Sequence, residues 1–140
     1  MLAVSLVLGG CATQQGGVPG RLSRAASQAG SAAATGEIAV TVMVDGRSTT
    51  PLTDTALANM LSESQDAEVA VATLVVSTPA DERLRTESLT AVHGATLALT
   101  RARSWLTGGA PDDTGRAIAA DLAASADQLR DLSDRLEAMS

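Results

Sequence analysis

A repeat of apolar residues near the C-terminus is the sequence feature that most constrains the fold. Between residues 112 and 139, apolar or small residues recur at alternating intervals of four and three. This heptad seam consists of Ile118, Leu122, Ser125, Leu129, Leu132, Leu136 and Met139. Such spacing places its members on one face of an α-helix, where they pack against neighbouring helices. We therefore predict a helix over 112–139 whose seam faces a helical core.

Breaks in the upstream sequence separate three more helical segments. Thr78 before Pro79, with Asp81 three residues later, is typical of a helix start and predicts a helix over 79–106. Thr53 and Asp54 can cap a second helix over 53–77, and Ala-rich composition predicts another over 21–45. Four helices joined by short connections predict an all-α protein, an up-down-up-down four-helix bundle.

Two apolar runs leave an alternative open. Residues 37–45 and 68–77 are rich in β-branched residues and apolar at nearly every position. Short runs of this kind do not distinguish a buried strand from a buried helix. The alternative is an α+β fold in which these two runs form a small hairpin.

The residue types present restrict the chemistry of the chain. It has no Phe, no Tyr and one Trp, Trp105. Aromatic residues often wall ligand pockets, so an Ala, Val and Leu core favours close helix packing over a deep cavity. A net charge of −6 argues against electrostatic binding of nucleic acid or of an anionic bilayer surface. One Cys and one His exclude an internal disulfide framework and a thiolate zinc cluster within one chain.

The N-terminal residues resemble a bacterial export signal. Residues 1–10 form an apolar run, which is shorter than the ~20 residues that span a bilayer. Leu8, Gly9, Gly10 and Cys11 follow the order of a lipobox, with an aliphatic residue, two small residues and the cysteine. This resemblance implies that the Cys11 thiol receives a diacylglycerol, that cleavage precedes Cys11, and that the mature chain carries fatty acids such as palmitate. Because no basic residue precedes the run, we expect the true start to lie upstream of Met1.

The domain organisation follows from this resemblance. We expect residues 1–10 to be the signal peptide, residues 11–20 the lipidated cysteine with a flexible Gly- and Gln-containing tether, and residues 21–140 the helical bundle. The layout also resembles small helical lipoproteins of actinobacteria, with an Ala-rich helix followed by the turn Asp45-Gly46-Arg47. The resemblance implies a lipid-anchored location outside the cytoplasm, at the outer membrane where the host has two. It implies no reaction.

The polar residues predict no catalytic, cofactor or metal site. His93 is the only imidazole and has no carboxylate three or four residues away in its predicted helix, so neither a catalytic triad nor a metal-ligand pattern is visible. Four arginines of the same helix, Arg83, Arg85, Arg101 and Arg103, are candidates for a surface that faces an acidic partner. The more common role of such residues is a solvated face.

Two functions remain. The first is a non-enzymatic interaction or structural module of the cell envelope, anchored to the membrane by lipid and bound to another envelope protein. The second is a binding module for a small apolar or lipidic ligand held between the helices. Its supporting feature is a stripe of small residues in the third predicted helix, namely Ala91, Ala95, Ala98 and Ala102.

Overall fold

The computed structural model describes residues 16–140, and within that range the chain forms four α-helices and no strand. The helices are α1 (Gly17–Val44), α2 (Thr50–Ala72), α3 (Pro79–Gly108) and α4 (Asp112–Glu137). Short connections join them, so successive helices run in opposite directions. The prediction of an all-α four-helix bundle is confirmed.

Local sequence explains where α3 and α4 begin. The Oγ1 atom of Thr78 accepts a hydrogen bond of 3.1 Å from the backbone N–H of Asp81, which satisfies one of the free donors at the start of α3. Gly109 follows α3 with a φ of +66°, a left-handed conformation that glycine adopts without steric cost. Pro111 then precedes α4, whose first turn carries Asp112 and Asp113 next to the positive end of the helix dipole.

Helix α1 holds the bundle together. It packs against all three other helices and most extensively against α4. Helices α1 and α3 meet across the bundle, whereas no contact between α2 and α4 is recorded among the described residues. The bundle is therefore closer across the α1–α3 diagonal, because the residues between these two helices are small.

The core consists of leucines interleaved with alanines and glycine. Leu22, Leu57 and Leu99 are fully buried, and Gly36 lies between the side chains of Leu57, Leu99 and Leu122. Because Gly36 has no side chain, the surrounding leucines pack into the space that a larger residue would occupy. The core is close-packed here for this reason, although the chain contains no Phe and no Tyr.

The heptad seam is confirmed at five of its positions and wrong at its last. Ile118, Leu122, Leu129, Leu132 and Leu136 are buried. Met139 lies beyond the end of α4 and is 54% exposed. Ser125 is half-buried, and its neighbour Ala126 takes the buried position.

The helix boundaries correct several expectations. The hairpin of the alternative α+β fold is absent from the described residues, because 37–44 belong to α1 and 68–72 to α2. Helix α2 ends at Ala72, so 73–77 connect two helices instead of extending the second. It also begins at Thr50, which places Thr53 in the buried interior and not at the cap.

Helix α1 begins earlier than expected. The sequence predicts residues 17–20 as part of the flexible tether, but they form the first turn of α1. Pro19 is compatible with a first turn, where no backbone N–H is needed for an intrahelical bond. The predicted signal peptide and Cys11 lie outside the described residues.

Candidate functional site

One end of the bundle carries the start of the folded chain. Because the helices alternate in direction, α1 and α3 begin there, and α2 and α4 end there. We call this the tether end, since Gly17 is separated from Cys11 by only five residues.

A groove of about 540 Å³ opens between α1 and α2 at the tether end. We call it the arginine groove, since two arginines of α1 line it. Its lining residues are Arg21, Leu22, Arg24, Ala25, Gln28, Ala70, Val71, Thr73, Leu74 and Val75. Leu22, Val71 and Leu74 are buried and form its apolar floor, whereas Val75 is 85% exposed.

A hydrogen-bonded pair lies at the upper end of the arginine groove. The Nε2 atom of Gln28 donates to the carboxylate of Glu63 at 2.8 Å and to the Glu63 backbone carbonyl at 3.3 Å. These bonds join α1 to α2 above the groove. No carboxylate lines the groove itself, so its polar character comes from the two guanidinium groups, the Gln28 amide, the Thr73 hydroxyl and the backbone.

The outward face of α1 is the second surface of note. The exposed positions between Arg24 and Asp45 are Ser27, Ser31, Thr35, Ile38 and Thr41. None of these five side chains is charged, and Ile38 is 62% exposed. Helix α4, by contrast, carries ten charged residues along its length.

Small residues let α1 and α4 approach closely beside this face. A Cβ atom at Gly30 would lie 3.2 Å from the Cβ of Leu129. Ser23 and Ser133 bond reciprocally across the contact, since each hydroxyl donates to the other residue's backbone carbonyl at 3.1 Å. These bonds satisfy two buried hydroxyl groups and fix the two helices relative to each other.

His93 has a partner that its own helix did not reveal. Its Nδ1 atom lies 2.8 Å from the Oε1 of Glu68 on α2, and the His93 side chain is 53% exposed. The pair is a surface contact between α2 and α3. Among residues 16–140, no group of three or more His, Cys, Asp or Glu side chains is arranged to hold a metal ion.

The four arginines of α3 do not form a common surface. Arg101 pairs with Asp121 of α4 at 3.1 Å, whereas Arg103 pairs with Asp54 of α2 at 3.0 Å. Hydrogen bonding and the negative charge of Asp54 raise the pKa of Arg103 above its ordinary value. Arg85 bonds Glu82 and the backbone carbonyl of Leu74. Three of the four thus join elements of the bundle.

Trp105 and the four alanines of the predicted stripe pack within the bundle. The Nε1 atom of Trp105 donates to the backbone carbonyl of Pro111 at 3.3 Å, and its ring covers Gly115. Ala91, Ala95, Ala98 and Ala102 are buried, and none of them lines the arginine groove. They bring α3 close to its neighbours.

Sequence reasoning missed the arginine groove. A signal was present, because Arg21 and Arg24 are three residues apart and no other charged residue follows until Glu37. A spacing of three places both side chains on neighbouring positions of one helix face. The partner wall, supplied by the end of α2, required the folded arrangement.

Comparison with known proteins adds no family to this description. Within residues 16–140, none of the helices combines the length and hydropathy that crossing a bilayer requires. No protein-family model matches the chain, and searches of curated proteins and of solved structures found no match.

Proposed function

We propose that the chain is a lipid-anchored lipoprotein outside the cytoplasm and that its bundle is a non-enzymatic interaction module of the cell envelope. The observation that carries this proposal is the order Leu8, Gly9, Gly10, Cys11 after an apolar run. The helical bundle begins only six residues after Cys11, at Gly17. The folded domain would thus stand directly on the membrane surface.

The outward face of α1 supports the interaction role. The buried centres of protein–protein interfaces are depleted of charged residues. The five exposed positions from Ser27 to Thr41 have this property, and Ile38 offers an apolar contact among them. We propose this face as the surface that binds another envelope protein.

The arrangement of ionisable groups supports a non-enzymatic role. His93 is engaged with Glu68 at the surface, and Arg103 is engaged with Asp54. Asp113 and Asp127 each pair with an arginine three residues along the same helix. Two of these pairs join neighbouring helices and two lie along the surface of one helix. The four pairs do not converge in one cleft, as catalytic groups do.

The anchor is tested by metabolic labelling with a fatty acid in the host, comparing the wild type with Cys11→Ser. The wild type is expected to carry the label and to sediment with membranes, whereas Cys11→Ser loses both properties. Ala12→Ser, one residue away, is the matched control and should keep them. Label that persists on Cys11→Ser would contradict the lipid anchor.

The interaction role is tested separately by crosslinking in whole cells followed by identification of the captured proteins. One envelope protein is expected to be enriched with the wild type and depleted with Cys11→Ser, which lacks the location. Recovery of only monomer and abundant envelope proteins would contradict an interaction module.

Ligand binding is the second candidate function. The arginine groove is the surface that favours it, and this groove is separate from the alanine stripe of α3. The groove lies at the surface and combines an apolar floor with two arginines, so it suits an amphiphile better than a purely apolar ligand. Native mass spectrometry of protein purified from its host tests this function. A bound mass that is lost in an Arg21→Gln/Arg24→Gln variant would support it, and a clean ligand-free mass would contradict it.

A further inference from the structure

The chain segments that cover the tether end of the bundle carry no charged side chain. They are residues 16–20, 73–80 and 138–140, which contain the start of α1, connect α2 to α3 and follow α4. We call these three segments the end surface. The opposite end differs. Its two connections and the helix starts after them contain the charged residues Asp45, Arg47, Asp112 and Asp113. The two ends of the bundle therefore offer different surfaces to their surroundings.

Two large apolar side chains of the end surface are exposed. Val75 is 85% exposed and Met139 is 54% exposed. Val75 lies on the α2 side of the start of α1, where it lines a groove together with Arg21. Met139 belongs to the segment on the α4 side, where a Cβ atom at Gly16 would lie 3.1 Å from the Cβ of Ser140. Exposed apolar residues thus lie on both sides of the place where the chain enters the bundle.

The length of chain before α1 limits how far the end surface can lie from an anchor at Cys11. The six residue steps from Cys11 to Gly17 span at most about 20 Å when fully extended. The 28 residues of α1 are about 40 Å long. If Cys11 carries a lipid, the end surface stays within reach of the bilayer in every orientation of the bundle. The opposite end comes within reach only when the bundle lies on its side.

The charged residues next to the end surface have both signs. Arg21 follows its first segment, Asp81 follows its second, and Glu137 precedes its third. Charged side chains at the edge of an apolar contact can keep their polar ends in water or among lipid headgroups. Contact between this end and a membrane would therefore depend on the apolar residues and not on anionic lipid.

We propose that the end surface lies against the membrane that carries the anchor, with the helices roughly perpendicular to the bilayer. This inference rests on the proposed lipid anchor for its location. Val75 and Met139 contact the boundary between lipid headgroups and acyl chains, where their apolar surface is removed from water. The outward face of α1 then points along the membrane and stays open to another envelope protein.

The test uses the single cysteine of the chain. When a lipid blocks Cys11, a cysteine introduced elsewhere is the only thiol to which a fluorophore can be attached. Val75→Cys and Met139→Cys place the fluorophore on the end surface. Leu52→Cys and Leu97→Cys, at positions 64% and 51% exposed, place it at the opposite end and on the side of α3. The lipidated variants are purified from host membranes and reconstituted into phosphatidylcholine vesicles.

Quenching by lipids that carry a nitroxide on the acyl chain reports contact between the fluorophore and the membrane. We expect strong quenching at positions 75 and 139 and little at positions 52 and 97. Quenching at Leu97→Cys as strong as at Val75→Cys would show that the bundle lies on its side, and no quenching at positions 75 and 139 would show that the end surface stays in water. Either result would overturn the proposal.

A second set of variants separates contact by the apolar residues from proximity imposed by the anchor. With the fluorophore on Ser77→Cys, the change Val75→Asp/Met139→Asp should remove most of the quenching. The matched control is Leu52→Asp/Leu97→Asp, which adds the same two charges outside the end surface and should keep it. Quenching retained after Val75→Asp/Met139→Asp would show that the anchor alone positions the bundle. All these side chains are exposed, so the circular dichroism of each variant should match the wild type.

Lipid charge provides a further check. Because the charged residues beside the end surface have both signs, adding phosphatidylglycerol to the vesicles should leave the quenching unchanged. Quenching that requires phosphatidylglycerol would overturn contact through apolar residues in favour of attraction between charges.

The anchor and the end surface fail in different measurements. A wild-type chain that reacts with the thiol reagent has an unmodified Cys11, which contradicts the anchor. The contrast between Val75→Cys and Leu52→Cys is then measured in a Cys11→Ser background, and its absence there overturns the membrane contact as well. A wild-type chain that excludes the reagent, together with an unquenched Val75→Cys, keeps the anchor and overturns only the membrane contact.

Discussion

Gly36 and Gly94 are both helical glycines, yet their surroundings differ. A Cβ atom at Gly36 would lie 2.6 Å from the Cδ2 of Leu99, which is fully buried and has little room to move. We expect Gly36→Ala to destabilise the bundle by about 1–3 kcal/mol, because added volume in a packed core forces side chains from their preferred conformations. Chemical unfolding followed by circular dichroism measures the change.

Gly94 provides the control for Gly36. Apart from the backbone of its own helix and its chain neighbours, no described atom lies within 4 Å of a Cβ atom at Gly94, so Gly94→Ala should raise the free energy of unfolding by up to about 1 kcal/mol through helix propensity alone. Because the substitution is the same at both sites, changes of opposite sign in the free energy of unfolding would isolate the effect of packing. A stabilised Gly36→Ala variant would contradict the close α1–α3 contact.

Ser88 and Ser64 form a second matched pair at the residue scale. Both are fully buried, but the hydroxyl of Ser64 bonds Thr96 at 2.9 Å whereas that of Ser88 has no partner among the described residues. Removing an unpaired buried hydroxyl relieves its desolvation cost, so Ser88→Ala should stabilise the bundle by about 1 kcal/mol. Ser64→Ala should destabilise it by a similar amount, because it leaves Thr96 without that bond. Thermal unfolding of both variants checks the difference in sign.

At the scale of single elements, α4 tests the heptad seam directly. Leu129 is fully buried at the centre of the seam, whereas Met139 lies exposed beyond the helix. Leu129→Ala should cost about 2–4 kcal/mol of stability by leaving a cavity. Met139→Ala should change it by no more than about 0.5 kcal/mol. Equal unfolding midpoints for the two variants would refute the burial of the seam.

The errors in the seam show what a sequence period can and cannot predict. The seam departs from the buried face at Ser125, where the neighbouring Ala126 takes the buried position, and returns to it at Leu129, Leu132 and Leu136. Periodicity predicts the face of the helix well, but the exact residue depends on how the neighbouring helices cross it.

Element boundaries were predictable where side-chain chemistry marks them. The predicted start of α3 at Pro79 and of α4 at 112 agree with the structure, because Thr78, Pro79 and Pro111 act locally. The end of α2 was not predictable from composition, since the β-branched residues at 75 and 76 suit a helix, a strand or a connection. The start of α1 was missed because glycines at 16 and 17 resemble a linker.

At the scale of the whole molecule, the missed contacts are those made between helices. Glu68 is twenty-five residues from His93 in sequence, and no spacing rule within one helix links them. The arginine groove has the same origin, because α1 supplies its charges and the end of α2 supplies its apolar wall. Local patterns therefore predicted the bundle, whereas the surfaces that could bind a partner emerged only from the arrangement of its helices.

The uncharged face of α1 gives the final prediction, which concerns binding and not folding. Ile38→Glu places a charge within the proposed partner surface, and burying an unpaired charge in an interface costs several kcal/mol. We expect the crosslinked envelope partner to be lost from cells that carry this variant. Because Ile38 is 62% exposed, the stability of the bundle should change by no more than about 0.5 kcal/mol.

Leu97→Glu is the matched control for Ile38→Glu. Leu97 is 51% exposed on α3 and lies outside the proposed surface, so the variant adds the same charge at a similar exposure while the α1 face remains intact. The partner should still be captured with Leu97→Glu, and thermal unfolding of both purified variants should match the wild type. If both variants lose the partner, the effect is one of net charge; if neither does, the partner binds elsewhere. Loss with Ile38→Glu alone assigns the interaction to α1, the first helix of the bundle.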